Sequence, residues 1–430
     1  MFDMEGDISR LLILVLLYGS ILTAMRASMR LPLISASLAF WVAWAFLMFG
    51  GVLAESYSWR SIDLFSAPFL YQLFNGAFVG FALATFVPIR RTTDKRYLQF
   101  VISTEWILSR VSKKAMMAMF LVGVAFLAQR IQAVGLSGDY LTNVREVYNQ
   151  REESFFVRIG SHLMVLLTML MILRGLIDSY RGVNIRALVT VILVAAPFGL
   201  AQGARIFLLS FFILYFASLL LSRSRLLPGN PLLSRQECAS VGMLLSVLLL
   251  IFAVMGFYRG GYGEELDIFY TILIWPVSTL TAMDSWVFEA LSSERTYGLN
   301  SFGWFSSIFS RLGLIDTSST TNVMQDVIYN FEQARDSARF IPRSILPDLI
   351  FDFGPQAVAF VMAFFAFVLD VVSRRFVGGG FFFHVLAVQA LFSSFMTIQL
   401  SIFDPPSVVS LFWASMLALY MRTRWRPVGV

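Results

Sequence analysis

Residues 284–347, which begin DSWVFEALSSERTYGLN and include the run DTSSTTN at 316–322, interrupt a sequence that consists largely of long apolar runs. The segment is rich in polar and aromatic residues. Besides Asp284, its charged residues are Glu289, Glu294, Arg295, Arg311, Asp316, Asp326, Glu332, Arg335, Asp336, Arg339 and Arg343. A mainly apolar chain that keeps so many polar side chains together late in its sequence is expected to carry its chemistry there.

The composition around this segment is that of a membrane protein. Of 430 residues, 58% are hydrophobic and 14% are charged, whereas soluble domains have roughly 25% charged residues. Apolar runs of about 18 residues or more recur along the chain, and each is long enough to cross a bilayer core of roughly 30 Å. Backbone amides have no water to bind there, so such runs form helices. The sequence predicts an all-α polytopic transmembrane helix bundle, a single domain over residues 1–430.

The charged residues predict which loops lie inside the cell. The net charge is +6, and the arginines lie largely in short loops, as is typical of cytoplasmic loops; nucleic-acid binding is therefore not expected. The most basic loop, at 90–114, defines the cytoplasmic side. The start is acidic (Asp3, Glu5 and Asp7) and lacks the basic region of a cleaved signal, so the first span is expected to be retained. The single cysteine, Cys238, excludes an internal disulfide and a cysteine metal cluster.

We predict about 11 spans, with the N-terminus outside and the C-terminus in the cytoplasm. Predicted spans lie at 8–25, 33–53, 68–87, 115–134, 158–173, 187–200, 206–221, 239–257 and 348–372, followed by two more. Residues 258–347 then form an extracytoplasmic region before the last three spans. It comprises an apolar segment at 268–283, broken by Trp275-Pro276, and the polar loop 284–347. Alternatively, 268–283 crosses the bilayer, which makes 12 spans and moves the N-terminus inside.

Two arginines lie in predicted outer turns before the late loop. Arg205 follows Gly203-Ala204 between two short spans, and Arg259 follows Tyr258 and precedes a glycine pair. Glu264 comes shortly afterwards and is a general-base candidate by residue type alone. An arginine at a helix end can also be a snorkelling anchor, and the glycine-rich segment can be a flexible turn. At the predicted inner ends, Asp178 and Asp370 are expected to neighbour Arg174 and Arg374.

The late loop contains three closely spaced arginines. Arg335 and Arg339 are four residues apart and share a face if the segment is helical, and Arg343 follows soon after. Since Glu332 and Asp336 precede them, a charge-paired helix on the bilayer surface explains the same pattern. The predicted outer polar parts contain many arginines and no lysine. Guanidinium groups bind phosphate oxygens in a bidentate manner that lysine cannot match, so this choice favours anion recognition.

Several short elements within roughly residues 200–360 together resemble a known family, the Wzy-type O-antigen and oligosaccharide repeat-unit polymerases. They are Gly203-Ala-Arg205, Tyr258-Arg-Gly260 with Trp275-Pro276, Gly298-Leu-Asn-Ser-Phe-Gly303, and Leu346-Pro-Asp-Leu-Ile-Phe-Asp-Phe-Gly354. The first is similar to the family's Gly-Ser-Arg element, and the last to an acidic–aromatic–glycine pattern that precedes the next span. Ala204 and Pro355 depart from the family pattern.

The resemblance implies a metal-independent membrane glycosyltransferase of the GT-C type, which needs no cofactor. Such an enzyme joins oligosaccharide units carried on undecaprenyl diphosphate, at the periplasmic face of a bacterial inner membrane, and releases the lipid diphosphate. Its product is an exopolysaccharide or the O-antigen of lipopolysaccharide. The implied catalytic residues are Arg205, Arg259, Glu264 and Asp352, and the implied substrate-binding residues are Arg335, Arg339, Arg343, Tyr258, Trp304 and Tyr329. Partners of such an enzyme include the bilayer, a chain-length regulator and a flippase.

Other functions fit parts of the pattern. An O-antigen ligase-like enzyme uses the same lipid donor, but such ligases usually rely on a loop histidine, which residues 284–347 lack. A polysaccharide flippase or other transporter would need charged residues inside several spans, and these spans are nearly free of charge. A non-catalytic envelope export component would use the late loop as a docking surface. The order of the short elements favours the polymerase.

Overall fold

The computed structural model describes residues 8–56, 64–88, 113–134, 155–201, 205–226, 232–243, 344–375 and 381–397, with isolated positions at 101–105, 246 and 279–291. Within these ranges the chain is helical and contains no strand, as predicted. The remaining predicted elements lie outside the described residues.

The helices follow the apolar runs of the sequence. They are α1 (Ile8–Ser28), α2 (Ala36–Ser56), α3 (Ala67–Thr85), α4 (Lys113–Val134), α5 (Phe155–Arg181), α6 (Ile185–Ala201), α7 (Arg205–Leu226), α8 (Ile345–Phe353), α9 (Val358–Arg375) and α10 (Phe381–Met396). In the described part of the chain, four helical segments are long and apolar enough to cross a membrane: Ile8–Ser28, Ala36–Leu53, Ala67–Thr85 and Pro355–Arg375. Shorter apolar helices occur at Met116–Gln132, Leu188–Ala201, Ser210–Ser224 and Phe382–Met396.

The chain divides into two compact units. The first comprises Met1–Ile89, Ile272–Arg375 and Ala390–Val408, and the second comprises Arg90–Thr271, Phe376–Gln389 and Val409–Val430. In the first unit, α3 packs against α9 and α1 packs against α2 and α3. The aromatic side chains of Phe40, Trp44, Phe74 and Phe81 are fully buried between these helices.

The α3–α9 contact in the first unit depends on two glycines. Gly76 lies against Ala359 and Gly80 lies against Ala363, so the two helices run in the same direction. A Cβ atom added at Gly76 would lie 2.1 Å from the carbonyl oxygen of Ala359, and one added at Gly80 would lie 2.1 Å from that of Ala363. Helices inside membranes often pack through small residues spaced four apart, because these let the two backbones approach closely.

In the second unit, α5 packs against α7, and α4 packs against α6. Near Gly175 the α5 backbone lies so close to α7 that a Cβ atom would be 2.4 Å from the carbonyl oxygen of Tyr215. One helical turn further along α7, the Ser218 hydroxyl donates to the carbonyl oxygen of Ile172 (2.6 Å) and lies 2.9 Å from Nε2 of His384. Since the Ser218 hydroxyl donates its one proton to the carbonyl oxygen of Ile172, the hydrogen bond with His384 requires a proton on Nε2, which donates to the serine oxygen.

One predicted span has the wrong start. The sequence predicts a continuous helix over 348–372, but the structure ends α8 at Phe353 and begins the apolar span at Pro355. Gly354 separates the two, with a φ of 84° that side-chain-bearing residues rarely adopt. Pro355 opens a short 3₁₀ turn, Pro355–Ala357. Proline has no backbone N–H, and at the first position of a helical turn no hydrogen bond from that group is required. Asp348 and Asp352 therefore lie on a separate short helix, outside the span.

Candidate functional site

Most of the residues that the sequence predicts for catalysis and substrate binding lie outside the described residues. These are Arg259, Glu264, Arg335, Arg339, Arg343, Tyr258, Trp304 and Tyr329. Arg205 is the first residue of α7, in the predicted turn after α6, and its side chain is not among those described. Asp352 is therefore the one predicted catalytic residue whose side chain the structure describes.

Asp352 lies on α8, and this helix of the first unit is almost completely buried. Asp348 and Asp352 are each 1% exposed, and because they are four residues apart they share one face of the helix. Around them, the apolar residues of α8, including Leu346, Leu349 and Ile350, belong to the core of the unit. Burying a carboxylate in an apolar core costs free energy, and such carboxylates occur in structural ion networks and at functional sites. Since Asp352 is also a predicted catalytic residue, α8 is the candidate catalytic element of the described residues.

The start of α8 is held by Thr397. The backbone N–H of Ile345 donates to the carbonyl oxygen of Thr397 (2.9 Å), and the indole N–H of Trp44 donates to the Thr397 hydroxyl oxygen (3.1 Å). That hydroxyl in turn donates to the carbonyl oxygen of Ser394 (2.9 Å). These bonds join α8, α2 and the end of α10, so the position of Asp348 and Asp352 is fixed by buried hydrogen bonds.

The first residue of the predicted polar loop, Asp284, also has a defined position. Its carboxylate accepts the backbone N–H groups of Phe65 (3.1 Å) and Ser66 (2.9 Å), just before α3 begins. Two residues later, Trp286 is 2% exposed, and it packs in the same core as α8 together with Val287 and Ala290. The beginning of this segment is therefore part of the helical core of the first unit.

A buried ion cluster lies at the opposite end of α3 and α9. The fully buried carboxylate of Asp370 contacts Nη2 of Arg26 (2.5 Å) and Nε of Arg374 (2.7 Å), and it accepts the backbone N–H of Ser37 (3.3 Å). Arg374 also donates to the carbonyl oxygen of Ala84. The pairing of Asp370 with Arg374 confirms the sequence prediction, whereas the contribution of Arg26 was not predicted. This cluster fastens the ends of α1, α2, α3 and α9.

A second charged network lies in the second unit. Asp178 is fully buried and contacts Nη2 of Arg174 (2.5 Å), as predicted, and it accepts the Tyr215 hydroxyl (2.8 Å). Nearby, Arg223 donates to both carboxylate oxygens of Glu237 at 2.8 and 2.6 Å. Hydrogen bonding from Arg223 holds the pKa of Glu237 well below its ordinary value. Glu237 is therefore ionised and fully engaged at neutral pH.

A cleft of about 1050 Å³ opens beside this network. Charged residues of both signs line it: Glu105, Arg174, Arg181, Arg186 and Glu237. From the sequence, Arg174 is expected to neighbour Asp178, and Arg181 and Arg186 belong to a short basic loop of the kind expected in the cytoplasm. Arg174 and Arg181 lie on the last turns of α5 and Arg186 lies on the first turn of α6, whereas Glu105 and Glu237 come from distant parts of the sequence.

The site that the described residues offer is thus a buried carboxylate pair on α8, in a chain whose described part is helical and includes segments long and apolar enough to cross a membrane. A carboxylate held in an apolar environment can act as a general base or orient a hydroxyl group. No protein-family model matches the chain, and comparisons with curated proteins and with solved structures find no match.

Proposed function

We propose that this chain is an integral membrane glycosyltransferase that polymerises undecaprenyl-diphosphate-linked oligosaccharide units into a surface polysaccharide. The observation that supports it best is the geometry of the Leu346–Gly354 element. The element forms the buried helix Ile345–Phe353, which Gly354 terminates immediately before a segment long and apolar enough to cross a membrane. Pro355, one of the two departures from the family pattern, is accommodated there in a 3₁₀ turn.

The proposed reaction forms a glycosidic bond and releases a lipid diphosphate. A hydroxyl of the acceptor sugar attacks the anomeric carbon of the donor unit, the bond from that carbon to the diphosphate breaks, and the hydroxyl proton passes to a base. Asp352 or Glu264 is the proposed base. Arg205 and Arg259 are assigned to the charge that develops on the leaving diphosphate, where each charge-assisted hydrogen bond contributes roughly 1.5–3 kcal/mol.

Substrate recognition is assigned to the late segment. Arg335, Arg339 and Arg343 are proposed to bind phosphate oxygens, and the aromatic residues Tyr258, Trp304 and Tyr329 are proposed to stack on sugar rings. The enzyme is placed in the bacterial inner membrane, with its N-terminus in the periplasm and its C-terminus in the cytoplasm. A flippase that delivers the lipid-linked units and a chain-length regulator are the proposed partners.

The first test of this function removes the proposed phosphate ligands. Arg205→Ala and Arg259→Ala should each abolish long-chain polysaccharide, since each deletes a cation that faces the departing diphosphate in the transition state. Asp352→Asn should do the same if this carboxylate takes the hydroxyl proton. Polysaccharide length is measured by gel electrophoresis in cells whose native copy is deleted.

The control for that test is Arg375→Ala, which removes an exposed arginine at the end of α9 and should leave chain length unchanged. Membrane-inserted protein is quantified for every variant, so that loss of activity is separated from loss of the protein. Normal chain length in both the Arg205→Ala and the Arg259→Ala cells would refute the assignment.

A second test addresses the predicted topology. A reporter fused at Ser318 should show a periplasmic location, because the basic loops before and after this segment are expected to remain in the cytoplasm. A fusion after Arg30 in the first loop serves as the cytoplasmic control. A cytoplasmic signal at Ser318 would overturn the placement of residues 258–347.

A further inference from the structure

More positive than negative side chains line the cleft in the second unit, and the ion pairs of the fold do not neutralise all of the positive charge. Three arginines and two glutamates line it. Glu237 is engaged by Arg223 and by the backbone N–H groups of Val183 (3.0 Å) and Ser234 (2.9 Å). Its negative charge is therefore already compensated by groups of the cleft wall.

Arg186 is the cation with the most freedom to bind a ligand. It is exposed, and among the described residues its guanidinium has neither an ion pair nor a hydrogen bond. It lies in the first turn of α6, where helix amides and the helix dipole favour an anion. This turn adds to the positive potential of the cleft.

Arg181 and Arg174 can contribute from α5. The contact of Arg181 with Glu105 is 2.8 Å long, but the two side chains are 61% and 35% exposed. A pair this exposed is worth little, so Arg181 can exchange its partner for a more highly charged anion. Arg174 lines the cleft and forms an ion pair with the buried Asp178. Such a buried partner fixes the orientation of the guanidinium group before a ligand binds.

We propose that this cleft binds a phosphate-bearing anion through Arg181 and Arg186, with Arg174 as an oriented third cation. Phosphate is the chemical class that the residues favour, because guanidinium groups present paired N–H donors to two oxygens of one anion. The cleft is also large enough for a phosphate with substituents. Two sources share this chemistry, the headgroup of an anionic phospholipid and a soluble phosphate or diphosphate.

The test uses the purified full-length protein and measures stabilisation on binding. In detergent, inorganic phosphate and pyrophosphate are titrated while thermal unfolding is followed, since a ligand of the folded state raises the melting temperature with its concentration. In nanodiscs, phosphatidylglycerol is compared with phosphatidylcholine. Arg181→Gln/Arg186→Gln should weaken the affinity for the stabilising anion at least roughly tenfold, because two charge-assisted contacts are lost.

Arg375→Gln, which removes one exposed arginine from the first unit, is the matched control and should bind as the wild type does. Arg186→Gln alone changes a side chain that has no partner in the described part of the chain, so it tests the site even if the double variant fails to fold. Stabilisation by phosphatidylglycerol but not by free phosphates identifies a headgroup, and the reverse identifies a soluble ligand; both support the site. Equal binding by wild type and the Arg186→Gln variant, or no stabilisation by any of these anions, overturns it.

Discussion

Replacing Gly76 with alanine is expected to lower the stability of the membrane bundle by about 1–3 kcal/mol, and leucine should prevent its assembly. The added Cβ atom would lie 2.1 Å from the carbonyl oxygen of Ala359 and within 3 Å of two further backbone atoms of that residue. Real Cβ atoms do not approach backbone atoms so closely. The atoms in the way belong to the backbone, so no side-chain rotation can relieve the clash, and either α3 or α9 must move.

Gly80→Ala should have a similar effect for the same reason. Its Cβ atom would meet the carbonyl oxygen of Ala363 at 2.1 Å and Cβ of Ala366 at 2.9 Å. The two sites lie one helical turn apart on the same contact, so the double variant separates the helices along their shared length. The loss of close packing is costly in a bilayer, where lipid tails are as apolar as the side chains and contact between helices supplies much of the stability.

Stability is measured as resistance to unfolding in a detergent series, by thermal scanning of the purified protein. The matched control is Gly242→Ala, since a Cβ atom there meets no described residue within 4 Å. In a helix this change is neutral or stabilising, by up to about 1 kcal/mol. If Gly76→Ala and Gly242→Ala give the same unfolding temperature, the close approach of α3 and α9 is wrong.

Asp370→Ala is expected to destabilise the first unit by about 3–5 kcal/mol, because it leaves two buried guanidinium groups without their counter-charge. Arg26 and Arg374 are both 2% exposed, so water cannot replace the carboxylate. Asp370→Asn should be milder, since the amide oxygen still accepts one hydrogen bond but carries no charge. The measurement is the same thermal unfolding, together with the yield of folded protein.

A double-mutant cycle identifies the cause of this loss. Once Asp370 is replaced, Arg26→Met removes an unpaired buried charge, so the combined variant should be more stable than the sum of the single effects predicts. Glu105→Gln is the exposed-pair control and should change stability by less than about 1 kcal/mol. Additive effects of Arg26→Met and Asp370→Asn would show that the two side chains do not form the pair.

The buried location of Asp352 affects how its functional test is interpreted. A loss of polysaccharide in Asp352→Asn cells supports a catalytic role only if the protein is present at normal levels, because the side chain also lies in the core of the first unit. Asp348 shares its helix face and its burial, so Asp348→Asn is the appropriate comparison. A variant pair in which only Asp352→Asn loses activity would separate chemistry from packing.

Local signals in the sequence account for the helices and for part of the charge pairing. Apolar runs long enough to cross a bilayer predicted α1, α2 and α3 to within a few residues, since burial in lipid requires helices there. The pairs Arg174–Asp178 and Asp370–Arg374 follow from a spacing of four, which places both members on one helix face. The same reasoning missed the break at Gly354, because a rule based on continuous hydrophobicity does not register a single backbone conformation.

The sequence by itself thus determined the helical character of the described residues, the apolar segments long enough to cross a membrane, the candidate residues and these short-range ion pairs. Only the tertiary structure decided that Arg26 joins Asp370, that Gly76 and Gly80 face α9, and that Glu105 and Glu237 line a cleft with Arg181 and Arg186. The physical reason is range. Hydrophobic period and charge spacing act over one or two helical turns, whereas these contacts depend on which helices pack together and at which faces.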